Sequence, residues 1–495
     1  MGIVRPAVDG LSGSTVTNAQ TGSSRTARWL TVWVAICVLA GLALRIPGAQ
    51  GDLWQDEIWS LSLLRTVSSP LGIFLDMSTD NNHFLNTLYL YCVGRDASPL
   101  VQRAFSIVLG TATIAAVALL LRRAHWAAAA LGIALFAFGY PLVHYGSEAR
   151  GYAGYLLFTI VSIGLVEREL VQPARANRIW LGVSNLLGTL FQPIMVATVA
   201  MLIGWVVWHR WRHGDSIKQA LAGTQQIFSV TVRLLLILLV LAVIAVYRVG
   251  AYKILSTHNF TAETFIHGYG GMLRFLFGVP QSVPEWVVLA TTLLAAAVAL
   301  LALRGRLSER RGFYALAIFA LPAALFCARL PNLGIYRYYL LPSVALLLLL
   351  TELFALAWRS GGWRRLLALF FCGGFALGNA AELSAFYAYG RGHYQAVTRI
   401  IGESDSPRVT SNLDGVASTM LEFYAERLQL PLSYVSNQAF CGSGVAWLVE
   451  TMDQPAAQPD TISFGGPTCP TEFQKVAEYP AWGLSGWSWT LYRAK

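Results

Sequence analysis

Residues Tyr338–Trp358 read YYLLPSVALLLLLTELFALAW, and this stretch decides the class of protein to which the chain belongs. Glu352 is its only charged side chain. Inside a lipid bilayer the backbone N–H and C=O groups must be satisfied within the chain itself, and about 20 apolar residues in a helix cross the hydrocarbon core. The stretch is therefore predicted to form a membrane-spanning helix.

Further apolar blocks have the same character. They are predicted to span the membrane over Trp29–Ile46, Leu100–Leu121, Trp126–Tyr145, Tyr152–Val166, Ile179–Phe191, Pro193–Trp208, Leu234–Tyr252, Trp286–Leu303, Phe313–Ala328 and Leu366–Ala381. The composition agrees, because 55% of the residues are hydrophobic and only 13% are charged. The sequence thus predicts a polytopic α-helical membrane protein with about 11 transmembrane helices. The net charge of +10 comes with basic residues that flank these blocks, which argues against a nucleic-acid partner.

The distribution of Lys and Arg predicts the orientation. Most of those that precede residue 394 fall in loops on one side, so the positive-inside rule places the N-terminus in the cytoplasm. An odd number of spans then places the C-terminus outside. Two alternatives remain open: the first block is a signal peptide cleaved near Ala49, or residues 179–208 form one helix, which would move every later loop to the other side.

Three regions follow from this topology. Residues 1–28, rich in Ser, Thr and Gly, are predicted to be a disordered cytoplasmic N-terminus. Residues 29–393 form the transmembrane domain, with long outer loops over 47–99 and 253–285. In the first loop, two amphipathic segments are predicted to lie on the membrane surface, Glu57–Val67 and Phe84–Val93.

Residues 394–495 are predicted to form a C-terminal periplasmic or extracellular α/β domain. Its expected elements are a helix over Gly415–Arg427 and strands over Arg408–Ser411, Leu432–Val435, Thr461–Phe464 and Trp487–Arg493. Cys441 and Cys469 are its only cysteines and can form a disulfide in an oxidising compartment. The other four cysteines lie in apolar surroundings and are interpreted as reduced thiols.

Asp56 and Glu57 follow the first predicted span directly. Carboxylates at a hydrophobic boundary are costly unless they are paired or functional. Adjacent residues of a helix point about 100° apart, so only one of the two is expected to face a given pocket. The alternative is a solvated pair in a loop, and the sequence favours neither interpretation.

Further polar residues lie on the same predicted side. His83 precedes an amphipathic segment, and a lone histidine is more often structural than catalytic. His144 and Glu148 are four residues apart and can share a helix face, which suits a metal, although two ligands are a weak signal. A divalent metal therefore stays possible. Glu148 and Arg150 can equally form a salt bridge at a helix end.

Arg337 begins a predicted span between Tyr336 and Tyr338. A guanidinium group can hold a phosphate through two hydrogen bonds, or it can anchor a helix at the membrane interface among aromatic residues. Acidic, imidazole and guanidinium groups thus gather on the outer side. This combination fits a base that activates a hydroxyl group while cations neutralise a departing phosphate.

These motifs resemble the GT-C superfamily of glycosyltransferases that depend on polyprenyl-phosphate sugars. The similar branch includes protein O-mannosyltransferases, lipid A aminoarabinose transferases and RgtA-like lipopolysaccharide glycosyltransferases. The resemblance covers most of 29–339 and rests on Asp56-Glu57, His83, Arg103, the segment from Tyr145 to Tyr152, and Arg337-Tyr338. Three positions depart from the pattern of the family: Phe84-Leu85 replace two prolines after His83, Gly151 replaces a common proline, and Gln192 replaces a common histidine.

The resemblance implies transfer of a sugar from a polyprenyl-phosphate carrier to an acceptor hydroxyl, with inversion, at the outer face of a bacterial inner membrane. The acceptor would be an envelope glycan, a glycolipid or a protein. The implied catalytic residues are Asp56, as the general base, and Glu57 beside it. The implied substrate-binding residues are His83, Glu148, Arg150, Tyr152, Arg337 and Tyr338. A flippase for lipid-linked sugars is the main alternative, and a glycan-binding scaffold without catalysis is another.

Overall fold

The structure is a computed structural model that describes residues 14–77, 79, 81–250, 260–303, 305, 309–453, 455–467 and 469–495. A helical membrane body is followed by a small domain with a mixed sheet, so the predicted fold class is confirmed. The chain is a multi-pass membrane protein. By length and composition, the described helices that can cross a membrane lie in Arg28–Gly48, Pro99–Leu121, Ile217–Val249, Glu285–Ala302, Tyr336–Ser360 and Gly362–Gly402.

Within the described residues, each predicted span falls on a helix or on adjoining helices. Ala251 and Tyr252, at the end of the predicted span Leu234–Tyr252, lie outside the described residues. The helices of the membrane body and its loops are α1 (Ser14–Gly48), α2 (Gln55–Leu63), α3 (Gly72–Leu75), α4 (Phe84–Val93), α5 (Pro99–Leu121), α6 (Trp126–Phe138), α7 (Tyr140–Tyr145), α8 (Tyr152–Val171), α9 (Arg175–Phe191), α10 (Met195–Arg212), α11 (Ile217–Val249), α12 (Ala262–Phe277), α13 (Glu285–Ala302), α14 (Arg311–Ala315), α15 (Leu321–Cys327), α16 (Leu340–Ser360) and α17 (Gly362–Tyr389). A π-helical turn over Leu316–Ala320 joins α14 to α15, and a 3₁₀ turn over Tyr336–Tyr339 precedes α16.

Two predicted spans are interrupted or separated at a proline. α9 ends at Phe191 and α10 begins at Met195, so residues 179–208 form two helices that meet beside Pro193. The predicted span Trp126–Tyr145 is divided at Gly139, just before Pro141. Proline lacks the N–H group that a continuous helix would use. The main-chain N–H of Tyr140 instead donates to the side chain of Asn379 over 2.6 Å.

Two helices begin earlier than predicted because hydropathy shows only the apolar part of a helix. α11 begins at Ile217, where Ser216 and Gln219 form a capping box, and not at Leu234. α1 begins at Ser14, so the described part of the predicted disordered segment 1–28 is helical. Residues 1–13 of that segment lie outside the described residues.

The predicted outer loop 253–285 contains α12, which the sequence analysis missed, while residues 253–259 lie outside the described residues. Its glycines lower the helix propensity of this segment, so the sequence did not predict a helix here. The structure shows what they provide. A Cβ atom on Gly268 would strike the main-chain oxygen of Leu333, and one on Gly270 would lie 2.5 Å from that of Glu285. Close packing therefore explains both glycines.

The C-terminal domain contains a six-stranded sheet of strand order β2-β1-β3-β6-β5-β4. β1 is parallel to β2 and β3, and the other pairs are antiparallel. Cys441 and Cys469 form a disulfide in this domain. Of its elements, α18, β3 and β5 were not predicted. The bounds are α18 (Tyr394–Gly402), β1 (Arg408–Ser411), α19 (Asp414–Leu428), β2 (Ser433–Tyr434), β3 (Trp447–Met452), β4 (Thr461–Phe464), β5 (Thr471–Tyr479) and β6 (Ser488–Ala494).

The C-terminal domain and the long loop over 47–99 share one hydrophobic core. Leu53 and Ile58 from the loop are buried in the same cluster as Tyr424 and Trp489 from the domain. The hydroxyl of Tyr424 accepts a hydrogen bond from the N–H of Leu53 over 2.7 Å. Because α2 packs on α19, the carboxylates of α2 are held between the two domains.

Candidate functional site

Helix α2 places Asp56 and Glu57 in its first turn, directly after α1. Trp54 is the N-cap residue, and its N–H donates to Glu57 Oε2 over 3.1 Å. Acidic residues are favoured at this end of a helix because its free N–H groups carry partial positive charge. Both side chains are buried, but they point into different surroundings.

Glu57 is enclosed by hydrogen-bond donors. Arg103 Nε donates to Oε1 over 2.8 Å and Arg103 Nη2 to Oε2 over 2.6 Å, and the N–H of Ala149 donates to Oε1 over 2.7 Å. Burial by itself would raise the pKa of Glu57, but the charge and hydrogen bonds of Arg103 hold this pKa below its usual value. Glu57 is therefore an ionised residue that ties together α2, α5 and the loop before α8.

Asp56 lies between two guanidinium groups. Its Oδ2 atom is 2.5 Å from Arg150 Nη1 and 3.2 Å from Arg337 Nη2. Asn81 donates to the main-chain oxygen of Asp56 over 2.9 Å, and Arg150 Nη2 donates to Asn81 Oδ1 over 2.8 Å. The carboxylate is thus fixed through both its side chain and its backbone.

His83 supports Arg150 from behind. Arg150 Nε donates to His83 Nε2 over 3.2 Å, and the other ring nitrogen contacts the main-chain oxygen of Phe191 at 3.2 Å. This arrangement requires a neutral ring that carries its proton on Nδ1. Burial and the nearby charge of Arg150 hold the pKa of His83 well below its usual value. The guanidinium group of Arg150 also lies over the ring of Tyr152, with its Cζ atom 5.0 Å from the ring centre.

A cavity of about 600 Å³ opens beside Asp56, between the membrane body and the C-terminal domain. Asp56 and Arg337 are the predicted site residues that line it. Glu57, His83, Glu148, Arg150, Tyr152 and Tyr338 are not among its lining residues. Of these, Tyr338 is half-buried and packs against the hydrophobic core. The other five form the layer that positions the cavity wall.

The cavity is also lined by polar residues that the sequence analysis did not select. His267 bonds Glu285 Oε2 over 2.9 Å through Nδ1 and contacts the hydroxyl of Tyr336 at 2.9 Å through Nε2. The hydrogen bond to Glu285 raises the pKa of His267. Asp453 also lines the cavity. A lone histidine in a glycine-rich loop gave no signal that distinguished it from a surface residue.

The C-terminal domain adds a loop that enters the membrane body. Ser485 donates to Glu148 Oε2 over 2.9 Å and lies 3.0 Å from His144 Nε2. Gly483 has a φ of +113°, and a Cβ atom there would strike the hydroxyl of Tyr140. The tight approach explains the glycine. Burial raises the pKa of Glu148, against the opposing effects of Arg150 and Ser485.

The residues of the cavity do not fit a divalent metal beside Asp56. Two guanidinium groups already balance the charge of this carboxylate, so no excess negative charge remains for a cation. His144 and Glu148 lie 3.8 Å apart, but they are fully buried and Ser485 bonds to both. No step of the proposed reaction is therefore assigned to a metal.

Comparisons with known proteins identify similar folds. A scan against protein-family models finds no match, and a search of curated proteins finds none either. Among solved structures, the oligosaccharyltransferase AglB from Archaeoglobus fulgidus, in complex with an inhibitory peptide and a dolichol-phosphate, matches at 14% identity and a TM-score of 0.49. The match covers 85% of this chain and 69% of that one.

ArnT from Cupriavidus metallidurans, in its apo state, matches at 11% identity and a TM-score of 0.49, over 93% of this chain and 98% of its own. Both matched proteins belong to the GT-C superfamily, the family that the sequence resembles. Such identities and TM-scores are too low to transfer an activity. The assignment of function therefore depends on the geometry of the site.

Proposed function

We propose that this chain is a membrane glycosyltransferase that moves a sugar from a polyprenyl-phosphate carrier to an acceptor hydroxyl. The observation that supports this proposal is the position of Asp56, a carboxylate on the wall of a 600 Å³ cavity with Arg337 beside it. A carboxylate that can act as a base and a guanidinium group that can bind a phosphate thus line one cavity. The proposed site of action is the outer face of a bacterial inner membrane, with the C-terminal domain periplasmic or extracellular.

Asp56 would act as the general base. As the acceptor hydroxyl attacks the anomeric carbon, its proton passes to the carboxylate of Asp56. The new bond forms on the face opposite to the carbon–oxygen bond of the phosphate, so the configuration at this carbon is inverted. The electron pair of the broken bond leaves with the polyprenyl phosphate.

Arg337 would stabilise the departing phosphate. It lines the cavity, and its planar group can donate two hydrogen bonds to phosphate oxygens. Arg150 does not line the cavity and would hold Asp56 in place, while His83 and Asn81 hold Arg150. The apolar remainder of the carrier would lie in the bilayer, against the exposed apolar faces of the helices.

The enclosure of the site favours an enzyme over a flippase. A transporter needs a binding site that becomes accessible from both sides of the membrane. Glu57, next to Asp56 in the chain, forms a fully buried ion pair with Arg103 that joins α2 to α5, and a fixed connection of this kind suits a rigid active site. We therefore rank a flippase for lipid-linked sugars second.

The test compares a strain that lacks this chain with strains that carry it or its variants, by mass spectrometry of cell-envelope glycans, glycolipids and glycoproteins. We expect a sugar to disappear from one acceptor in the deletion strain and to return with the wild-type chain, but not with Asp56→Asn. Asp96→Asn is the matched control, because Asp96 lies exposed in the same outer loop. A glycan profile that is unchanged by deletion would contradict the proposal. Full restoration by Asp56→Asn would exclude Asp56 as the base.

A further inference from the structure

Helix α10 carries two histidines on one face near its C-terminal end. His209 lies four residues after Trp205, and His213 four residues after His209, so all three point to the same side. The rings of the two histidines lie 4.2 Å apart between centres. α10 starts four residues after Phe191, whose main-chain oxygen contacts His83. From Met195 to His209 the helix advances 14 residues, about 20 Å. The histidine pair is therefore distant from the proposed active site.

A third ligand reaches this pair from another part of the chain. Glu309 precedes α14, and its main-chain oxygen accepts a hydrogen bond from the buried indole of Trp205 over 2.9 Å. Its Oε2 atom lies 3.3 Å from His209 Nδ1 and 3.9 Å from His213 Nε2. Three possible ligand atoms thus lie within 4.8 Å of one another. Trp205 fixes the segment that supplies the carboxylate.

The protonation of His213 directs a lone pair toward Glu309. Its Nδ1 lies 2.8 Å from the main-chain oxygen of His209, which accepts a hydrogen bond from Nδ1–H. The Nε2 atom then carries the lone pair in the neutral ring, and it faces a carboxylate oxygen that only accepts hydrogen bonds. Two acceptors that converge in this way call for a cation between them. A main-chain oxygen that orients a histidine from behind is also typical of metal ligands.

Within the described residues, the arginines near Glu309 have other contacts. Arg210 pairs with Asp215 over 2.7 Å, and Arg310 pairs with Glu167. The carbonyl groups at the C-terminal end of α10 add partial negative charge at the same place. The guanidinium groups of two further arginines lie against the ring of Trp208, namely Arg212 and Arg311. The local field therefore tolerates a divalent cation.

We propose that His209, His213 and Glu309 form a binding site for a divalent transition metal of the Zn²⁺ type. Two imidazoles and a carboxylate are a ligand set that suits Zn²⁺, at distances of about 2.0–2.2 Å. Ligand atoms 3.3–3.9 Å apart reach such a centre through small side-chain rotations. The metal would fasten the segment before α14 to α10. This proposal does not depend on the proposed glycosyltransferase activity.

The test uses the full chain, purified in detergent and freed of metal with a chelator. Zn²⁺ is titrated in competition with a chromophoric chelator, and Mg²⁺ is titrated separately. We expect one Zn²⁺ per chain and no comparable binding of Mg²⁺, which disfavours imidazole ligands. His213→Ala and Glu309→Gln should each weaken Zn²⁺ binding by about tenfold or more, and acidification should weaken it because protons compete for the imidazole lone pairs.

His125→Ala is the matched control, because His125 lies outside this cluster at the start of α6. His213→Cys should restore binding, since a thiolate also binds Zn²⁺. His213 and Glu309 are both exposed, so their variants are expected to fold even if His209→Ala does not. Absence of stoichiometric Zn²⁺ binding by the wild-type chain would overturn the proposal. Equal affinities of the wild-type chain and His213→Ala would do the same.

Discussion

The surroundings of Glu57 and Asp56 differ sharply, although the two carboxylates are adjacent in the chain. Around Glu57, the chain closes completely: Arg103 and two main-chain N–H groups bond both carboxylate oxygens, and no part of the side chain is exposed. Around Asp56, the chain stays open to a cavity, and two guanidinium groups bond one oxygen. Burial alone therefore does not distinguish a structural carboxylate from one that can react. The difference lies in what fills the space beside each.

The energetics of the two surroundings differ as well. A buried ion pair contributes little net stability, since removing both charges from water costs about as much as their attraction returns. Once built, however, such a pair is costly to break, because one charge remains buried alone. Mutations of Glu57 should therefore act through folding. Mutations of Asp56, which is paired with Arg150 but also lines the cavity, should lower turnover beyond any effect on folding.

The largest expected effect is on catalysis. Asp56→Asn should lower turnover by about 10² to 10⁴-fold, because the reaction loses its general base. Donor binding should stay near that of the wild-type chain. Turnover is compared at a temperature at which both chains are folded, because Arg150 loses a buried partner in the variant. The measurement is turnover of a polyprenyl-phosphate sugar by the purified chain, with lipid binding measured in parallel. Near-normal turnover by Asp56→Asn, together with a folded but inactive Glu57→Gln, would assign the base to Glu57.

The next effect is on stability. Glu57→Gln should reduce the free energy of unfolding by roughly 3–5 kcal/mol, because Arg103 is left as an uncompensated buried charge. Thermal unfolding of the purified variant in detergent measures this loss. The double variant Glu57→Met/Arg103→Met removes both charges and should recover much of the stability. If Glu57→Gln has the same melting temperature as the wild-type chain, the contrast between the two carboxylates is wrong.

Variants of Arg337 test the surroundings of Asp56, which are open to the cavity. Arg337→Ala should weaken recognition of the donor phosphate, and Arg337→Lys should be impaired less, since Lys keeps the charge but loses the planar pair of donors. We expect losses of about tenfold for Lys and more for Ala, in line with a charge-assisted hydrogen bond of 1.5–3 kcal/mol. Donor affinity and turnover measure both variants. An unchanged Arg337→Ala would show that Arg337 only anchors α16 at the interface.

The smallest expected effect is on the pH dependence of stability. It concerns Ser485, through which the C-terminal domain bonds to the buried Glu148. The folded pKa of Glu148 is raised by burial, so the folded chain binds more protons than the unfolded chain above the usual carboxyl pKa. Stability therefore falls as pH rises from that value to the folded pKa. Ser485→Ala removes a hydrogen bond to the carboxylate and should raise the pKa of Glu148 further. The fall in stability should then extend to higher pH, at a cost of about 1–2 kcal/mol.

Melting temperature measured across pH tests this prediction. Ser443→Ala is the control, because Ser443 lies in the same domain and its hydroxyl donates to the main-chain oxygen of Phe440 within its own turn. Its pH profile should be parallel to that of the wild-type chain. A Ser485→Ala profile that is also parallel would mean that Ser485 does not act on the charge of Glu148.

Local patterns alone predicted much of the fold and part of the site. The span over Leu100–Leu121 differs from α5 by one residue, and the predicted amphipathic segment Phe84–Val93 is α4. The apolar blocks were predicted correctly because each backbone segment within a bilayer must satisfy its own hydrogen bonds, which a helix does. The motifs also indicated that Asp56, Arg150 and Arg337 belong together, and the structure places the two guanidinium groups against the carboxylate. The inside–outside orientation and the catalytic roles stay predictions.

Only the tertiary structure decided which carboxylate faces the cavity and which residues complete its walls. The local sequence pattern does not distinguish Asp56 from Glu57. Arg103, 46 residues further along the chain, bonds to Glu57, and this contact leaves Asp56 as the carboxylate that faces the cavity. Ser485 reaches Glu148 across 337 residues, and α12 is built on glycines that only close packing explains. The physical reason is the same in each case. Periodicity and propensity act over a few turns of chain, whereas the packing of one domain against another depends on shapes and charges that meet only after folding.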